Sequence, residues 1–168
     1  MGAERSMPLP AGAMSADAWA PFGWLPVDDT DPRDATYTYE FQWADAHVNV
    51  ISHAFDEVEH TGRGPVCRWF YRHATHTQVL MPLNVEAVLA VAPPDVDFSD
   101  SADVELARAF RVRPLESLAL HRGTWHWGPF PLGAEPVRLF NVQGKRYAED
   151  NTRVDLFERV GVSFEVLP

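Results

Sequence analysis

Short stretches in which apolar and polar side chains alternate dominate the sequence. The clearest one is Thr36–Trp43, where four aromatic residues share one side and polar residues occupy the other. A period of two residues is typical of a strand with one buried face. Val48–Phe55 and Val66–His73 repeat the pattern and are separated by a polar loop that contains Gly62 and Gly64. We therefore predict three strands in the first half of the chain.

Further apolar runs predict five more strands, Gln78–Leu83, Ala87–Ala92, Glu116–His121, Val137–Val142 and Ser163–Leu167. The first two are predicted to pair as a hairpin around Asn84. Two segments have helical features: Ser15 can cap a short helix over Ala16–Ala20, and Ser101–Phe110 has amphipathic spacing. Many short strands with one or two short helices predict a closed antiparallel barrel or jelly roll.

Length and composition favour one domain. The 168 residues suffice for a single core, and we expect a flexible segment over residues 1–12 followed by one domain over residues 13–168. No apolar stretch has the length of a signal peptide or a membrane span, so a cytoplasmic location is expected. Cys67 is the only cysteine, which excludes an internal disulfide and a thiolate metal cluster.

The formal charge of −10 excludes some partner classes. Binding to a nucleic-acid backbone or to an anionic membrane needs a basic surface, so neither partner is expected. A small anionic substrate remains compatible with the charge, because a few arginines can build a local positive pocket.

Arg72–Gln78 is the first stretch with candidate chemistry. It joins the end of one predicted strand to the start of the next, and a turn at Ala74–Thr77 would bring Gln78 back beside His73. A neutral imidazole can accept a proton or bind a metal, and an amide can orient either ligand. The alternative for His73 is a residue at the core edge that bonds a carbonyl. His76 lies at the turn, where we expect it to be exposed.

His121–His126 is the second candidate stretch. Ser117, Ala119 and His121 share one face of a predicted strand, and Gly123 permits a turn after which the chain re-enters. His121 and His126 are therefore predicted to face one cavity. Arg122 is either a fork for a substrate carboxylate or a solvated charge. Trp125 and Trp127 are expected to be packing walls, of which one can donate an indole N–H to a substrate.

These motifs resemble the ureidoglycolate lyase family, a group of cupin-type barrels. The similar segments are Trp19–Gly23, Arg72-His73, Thr77-Gln78, Met81–Leu83 and His121–His126. The resemblance implies a mainly β fold, a cupin-type antiparallel β-barrel (jelly roll) with one or two short helices. The sequence departs from the family pattern at three motif positions. It also departs in an acidic pair near the C-terminus, of which only Asp155 and Glu158, or else Asp150, remain. The three motif positions are Tyr71, where the family has Glu, Ala74 in place of Pro, and Trp127 in place of His.

The resemblance also implies a cofactor. Gly123–His126 is similar to the turn that carries a late metal-binding histidine in metal cupins, which would be His126 here. One divalent metal ion held by His73, Gln78 and His126 is the implied cofactor, with His121 or His76 assisting, and no organic cofactor is expected.

The implied reaction splits ureidoglycolate, or a close small-carboxylate substrate, into glyoxylate and urea. Arg72, or else Arg122, would hold the carboxylate, and Trp125 would also contact the substrate. His121 or His126 would act as base, and His73 or Gln78 would hold the urea group.

Two alternatives remain open. One is a metal-dependent isomerase, lyase or dioxygenase that acts on another small 2-hydroxy or 2-oxo acid, which the aromatic Tyr71 and Trp127 favour. The other is a barrel that binds a metabolite without catalysis. The resemblance further implies a homodimer, in which Tyr37–Trp43 would cover the sheet of the partner.

Overall fold

Two β-sheets form the body of the protein. The computed structural model describes residues 5–43 and 45–168. In chain order the elements are β1 (Arg5–Ala13), α1 (Ala16–Trp19), β2 (Gly23–Trp24), β3 (Ala46–His53), a 3-10 turn (Phe55–Glu57), β4 (Val66–Cys67), β5 (Trp69–His73), β6 (Gln78–Pro82), β7 (Ala87–Ala92), a second 3-10 turn (Ser101–Leu106), β8 (Arg108–Val112), β9 (Leu118–Leu120), β10 (Trp125–Pro131), β11 (Val137–Gly144), β12 (Asn151–Asp155), α2 (Leu156–Val160) and β13 (Val162–Leu167).

The larger sheet has the strand order β12-β5-β10-β7-β8-β1-β13-β4, and the smaller one has the order β2-β9-β6-β11-β3. All pairs are antiparallel except those of β1, which runs parallel to both β8 and β13. The predicted mainly β class is confirmed. None of the helices in the described residues has the length and apolar character needed to cross a membrane.

The central strand β7 explains how the core is divided. All six of its side chains are buried, as expected for a strand that is covered on both faces. Leu89 and Val91 point into a cluster shared by the two sheets, together with Trp19 and Leu139. Val88, Ala90 and Ala92 point to the other face, where small side chains leave room for a second cluster rich in phenylalanine.

Several predicted elements are confirmed with small shifts in their ends. The hydroxyl of Ser15 accepts from the amide of Ala18 and begins α1, as predicted. The strand predicted over Val66–His73 is interrupted at Arg68, because its first part pairs with β13 and its second part with β10 and β12.

The strand predicted over Thr36–Trp43 is wrong. This segment is a loop held by backbone hydrogen bonds from Gln42 to Thr75 and from Thr77 to Glu40. Its aromatic side chains pack on rings from distant parts of the chain, as Tyr37 does on Trp24 of β2 and Phe41 on His76. The alternation reflects this ring packing and one isolated bridge, between Phe41 and His76, and not a strand of either sheet.

The predicted hairpin around Asn84 is also wrong. β6 and β7 lie in different sheets, since β6 pairs with β9 and β11 while β7 pairs with β8 and β10. The side chain of Asn84 donates to the carbonyl of Pro136 and accepts from the backbone amide of Arg138, which ties the segment between β6 and β7 to the start of β11. Both strands are real, but their partners differ from the prediction.

Two further expectations need correction. The helix predicted over Ser101–Phe110 is a 3-10 turn capped by Asp100, and Arg108–Val112 is strand β8. Of the flexible segment expected over residues 1–12, residues 1–4 lie outside the described residues, and Arg5 begins strand β1. That strand is ordered because its backbone pairs with β13 and then with β8.

Candidate functional site

A pocket of about 410 Å³ opens between the two sheets. Its walls come from β3, β5, β6, β10 and β11, and His73, Gln78 and His126 all line it. The structure therefore brings together the three residues that the sequence predicted as metal ligands. Among the described residues no arginine or lysine lines this pocket, so these walls supply no side-chain cation for a carboxylate.

Strand register explains why His73 and His126 meet. His126 on β10 lies directly opposite Tyr71 on β5, and paired residues direct their side chains to the same face. His73 follows Tyr71 by two residues and shares its face. The ring centres of His73 and His126 are 5.5 Å apart. The Nδ1 atom of His126 lies 2.9 Å from the Thr124 carbonyl, which leaves Nε2 as its free nitrogen.

His76 adds a third imidazole that the sequence interpretation expected to be exposed. It is 3% exposed, and its ring stacks on that of His73 with 4.5 Å between the centres. Phe41 stacks against it as well, while Gly144 provides the space it occupies, because a Cβ at Gly144 would lie 2.7 Å from His76 Nδ1. A turn residue is thus buried by the loop around Phe41 and by the end of β11.

Asp150 fixes the turn that carries His76. Its carboxylate accepts from the amide of Ala74 and from both the amide and the hydroxyl of Thr75. Nδ1 of His76 lies 3.3 Å from Oδ2 of Asp150. Burial acts to raise the pKa of Asp150, but the hydrogen bonds from Thr75 and Ala74 outweigh it and lower the pKa. The carboxylate therefore stays charged and leaves Nε2 of His76 as the unpartnered nitrogen.

Three buried polar atoms of this cluster lack a hydrogen-bond partner among the described residues: His73 Nδ1, His76 Nε2 and Gln78 Oε1. The amide nitrogen of Gln78 donates to Asn141, whose own amide donates to Asn49. This chain fixes Gln78 with its oxygen unused. Buried polar atoms without a partner are costly, so they indicate a place where a ligand or an ion completes the bonding.

The imidazoles are held in the neutral form. Burial lowers the pKa of His126 to about 3, and the neighbouring His73 adds to the effect. Burial lowers the pKa of His73 to about 4, and the electrostatic interaction with the nearby His76 adds to the effect. Burial also lowers the pKa of His76. Neutral imidazole is the form that binds a metal ion or accepts a proton.

The donor set fits a divalent metal ion. Donor atoms of His73, His76 and Asp150 lie within 4.8 Å of one another. Oδ2 of Asp150 already accepts two hydrogen bonds from Thr75, whereas Nδ1 of His73 and Nε2 of His76 have no partner among the described residues. A carboxylate behind a ligating histidine is a common outer-shell arrangement, because it fixes which ring nitrogen carries the proton.

The structure does not bring His121 and Arg122 into the pocket. β9 pairs with β2 and β6 and ends before His121, whose ring packs on Trp24 and Tyr37. Arg122 forms an ion pair with Glu40 at 3.0 Å. His121 and His126 therefore do not face one cavity, although Gly123 makes the predicted turn with a φ of 79°.

Arg72 and Trp125 lie on the other side of the larger sheet. The guanidinium of Arg72 stands 4.2 Å from the centre of the Trp125 ring. The Trp125 indole donates to the carbonyl of Val96 and is not free for a substrate. Arg72 follows Tyr71 by one residue, so alternation along β5 directs it away from the pocket.

Sequence reasoning missed several residues of the pocket. Asn49 and His53 line it from β3, and Gln143 lines it from β11. They lie at alternate positions whose side chains point inward, where an apolar residue is the ordinary choice. A polar residue at such a position was the signal in the sequence that could have identified them.

The sequence model of the ureidoglycolate lyase family matches residues 6–163. No curated protein matches the sequence at a significant level. Two structures of Bacillus subtilis oxalate decarboxylase are similar to this one, each with a TM-score of 0.42 and 13% sequence identity. One concerns the Mn(II) centres of that enzyme and the other is a variant of OxdC. The matched region covers 66% of this chain and 24% of theirs. This chain thus spans about a quarter of the length of those proteins.

Proposed function

Because the chain belongs to the ureidoglycolate lyase family, whose model covers nearly all of it, we propose that it cleaves ureidoglycolate, or a close small-carboxylate substrate, to glyoxylate and urea. The observation that carries this proposal is the convergence of three neutral imidazoles beside a pocket of about 410 Å³. A pocket of this size accommodates a small acid with room for water.

The charge of the pocket supports a bound metal ion. A carboxylate substrate needs a positive partner, and the pocket has no arginine or lysine in the part of its wall that the structure describes. His73 and His76, whose donor atoms lie within 4.8 Å of each other, would hold a divalent cation, with Asp150 behind His76. The ring centre of His126 lies 5.5 Å from that of His73, beside these donors. When bound, the cation would supply positive charge opposite the carboxylate and make the carbinol hydroxyl more acidic.

Gln78 accounts for recognition of the urea group. Its oxygen is buried, fixed by the Asn141 and Asn49 amides, and without a donor among the described residues. The N–H groups of a ureido group would satisfy it. A buried acceptor of this kind discriminates strongly, because an analogue that lacks the N–H would leave it unpaired.

His53 is the residue that we assign as base. It lies on the β3 wall, its ring meets that of Trp127 edge to face, and burial lowers its pKa. In the reaction, the carbinol O–H loses its proton, a C=O bond forms, the C–N bond breaks and the urea nitrogen gains a proton. One neutral imidazole can accept the first proton and return it to the nitrogen.

Glyoxylate release from ureidoglycolate tests the proposal. We expect turnover by protein loaded with Mn²⁺, Zn²⁺ or Ni²⁺ and a loss of at least about 100-fold in His73→Ala and in His53→Gln. Metal content should fall in the first variant and stay unchanged in the second. His121→Ala, outside the pocket, is the matched control and should keep full activity. The absence of glyoxylate with all three metals would exclude this substrate.

A further inference from the structure

A second cleft of about 530 Å³ lies on the opposite side of β5 from the catalytic pocket. Arg72 from β5, Arg153 from β12 and Arg159 from α2 all line it. The proposed reaction uses none of them. The sequence motif that drew attention to Arg72 as a partner for an anion is therefore not explained by the catalytic pocket.

These three arginines differ from most others in the protein. Seven arginines elsewhere have a carboxylate oxygen within 4.0 Å. Arg72, Arg153 and Arg159 have none among the described residues, although the protein carries a formal charge of −10. Three guanidinium groups without a carboxylate partner among the described residues thus line one cleft of an otherwise acidic protein.

Arg72 is already oriented for a ligand. Its guanidinium lies 4.2 Å from the centre of the Trp125 ring, and the hydrogen bond that it donates to the carbonyl of Pro94 is long at 3.4 Å. The indole covers one flat side of the group. Stacking of this kind fixes the plane while the N–H donors at the edge stay available, which is the geometry that binds an oxyanion through two hydrogen bonds.

Three carboxylates also line the cleft, and their partners decide its charge. Asp155 is bound by Arg68 at 2.9 Å and by the indole of Trp69. Asp97 accepts from the amide of Ser99, and Glu158 completes the set. With the Arg68–Asp155 pair neutral, three arginines face Asp97 and Glu158, which leaves a charge of +1. The cleft is therefore locally positive, and the positive charge is concentrated around the three arginines.

We propose that this cleft is a binding site for a compact oxyanion, a carboxylate or a phosphate, separate from the catalytic pocket. Arg72 binds it in the plane set by Trp125, and Arg159 closes over it from α2. Arg153 is paired with Tyr71 and reaches the anion around the exposed edge of β12. The inference does not depend on the proposed reaction, since it uses neither the imidazoles nor a metal ion.

Isothermal titration of chelator-treated protein at constant ionic strength tests the site. The probes are inorganic phosphate, malonate and neutral malonamide, which has the shape of malonate without its charge. We expect phosphate or malonate to bind with a dissociation constant at or below the millimolar range and malonamide to show no binding. The tighter of the two anions identifies the ligand class.

Variants locate the binding. We expect Arg153→Gln and Arg159→Gln each to weaken the bound anion by about tenfold, as loss of one charged hydrogen bond implies. Arg138→Gln removes an exposed arginine that has no carboxylate partner among the described residues and should change nothing. His73→Ala, in the catalytic pocket, should bind the anion like the unmodified protein. Equal weakening in Arg138→Gln, loss of binding in His73→Ala, or equal binding of malonamide would overturn the proposal.

Discussion

Acid should destabilise the protein through its buried histidines. In the folded state the pKa of His73 is about 4 and that of His126 about 3, against an ordinary value of 6.5. Below pH 6.5 the unfolded chain binds protons that the folded site does not accept. A lowered pKa therefore leaves stability intact above pH 6.5, and stability is lost as the pH falls toward the folded-state values.

The magnitude follows from proton linkage. Between pH 7.5 and pH 5.0, each of the two histidines should lower the free energy of unfolding by about 2 kcal/mol, or about 4 kcal/mol together. Because pH 5.0 lies above both folded-state values, this figure depends mainly on the unfolded-state pKa. For a chain of this size, 2 kcal/mol corresponds to a change of roughly 4–8 °C in melting temperature.

The assay is urea unfolding of chelator-treated protein at both pH values, followed by tryptophan fluorescence. His126→Gln should reduce the difference between the two free energies by about 2 kcal/mol, because one group that resists protonation is gone. Trp127→Phe changes the same wall without removing a titrating group and should keep the full difference. The reasoning is refuted if His126→Gln retains the pH dependence of the unmodified protein.

Three other outcomes are expected. Gly144→Ala should displace the ring of His76, which should lower the free energy of unfolding by about 1–3 kcal/mol and remove most of the bound metal. Gly62→Ala, which has open space around it, should do neither. Urea unfolding and metal analysis measure the two effects. Asp150→Asn should lower the free energy of unfolding by about 1.5–3 kcal/mol in the same assay, because it removes the charged acceptor of the Ala74 and Thr75 amides. Asp34→Asn, on the surface, is the control and should leave the free energy of unfolding unchanged. The predicted homodimer should be detected by light scattering. Because Val48 and Val50 are exposed on the edge strand β3, Val50→Lys should convert the dimer to a monomer. A monomeric unmodified protein would contradict the prediction of a dimer.

The sequence predicted elements better than it predicted their partners. Ala87–Ala92 was located to the residue, because a run of apolar residues reports burial on both faces. The run does not indicate which strands pair with it, and the predicted hairpin with β6 was wrong because β7 pairs with β8 and β10. Pairing depends on contacts between distant segments, such as those of Asn84 with Pro136 and Arg138.

The site was predicted in part for the same reason. His73 and Gln78 were placed together by the turn between two strands, which is local information. His126 meets them through the register of β10 on β5. His121 does not, because it lies beyond the end of β9, where its ring packs on Trp24 and Tyr37. Arg72 was assigned to the substrate although alternation along β5 already placed it opposite His73. There the functional expectation outweighed a physical pattern that was correct.

His76 was beyond local reasoning. A histidine in a polar turn is ordinarily exposed, and its burial here depends on Phe41 and Gly144, which come from separate parts of the chain. Its orientation depends on Asp150, more than seventy residues away in sequence. Only the assembled fold brings these residues together.

Anomalous diffraction from crystals soaked in Mn²⁺ would test most directly whether the imidazole cluster holds a metal ion next to the pocket. We expect one strong peak at about 2.1–2.3 Å from ring nitrogens of His73 and His76, and no such peak in crystals of His73→Ala. A peak bound only by surface carboxylates, or active protein without a peak beside these two rings, would contradict the account.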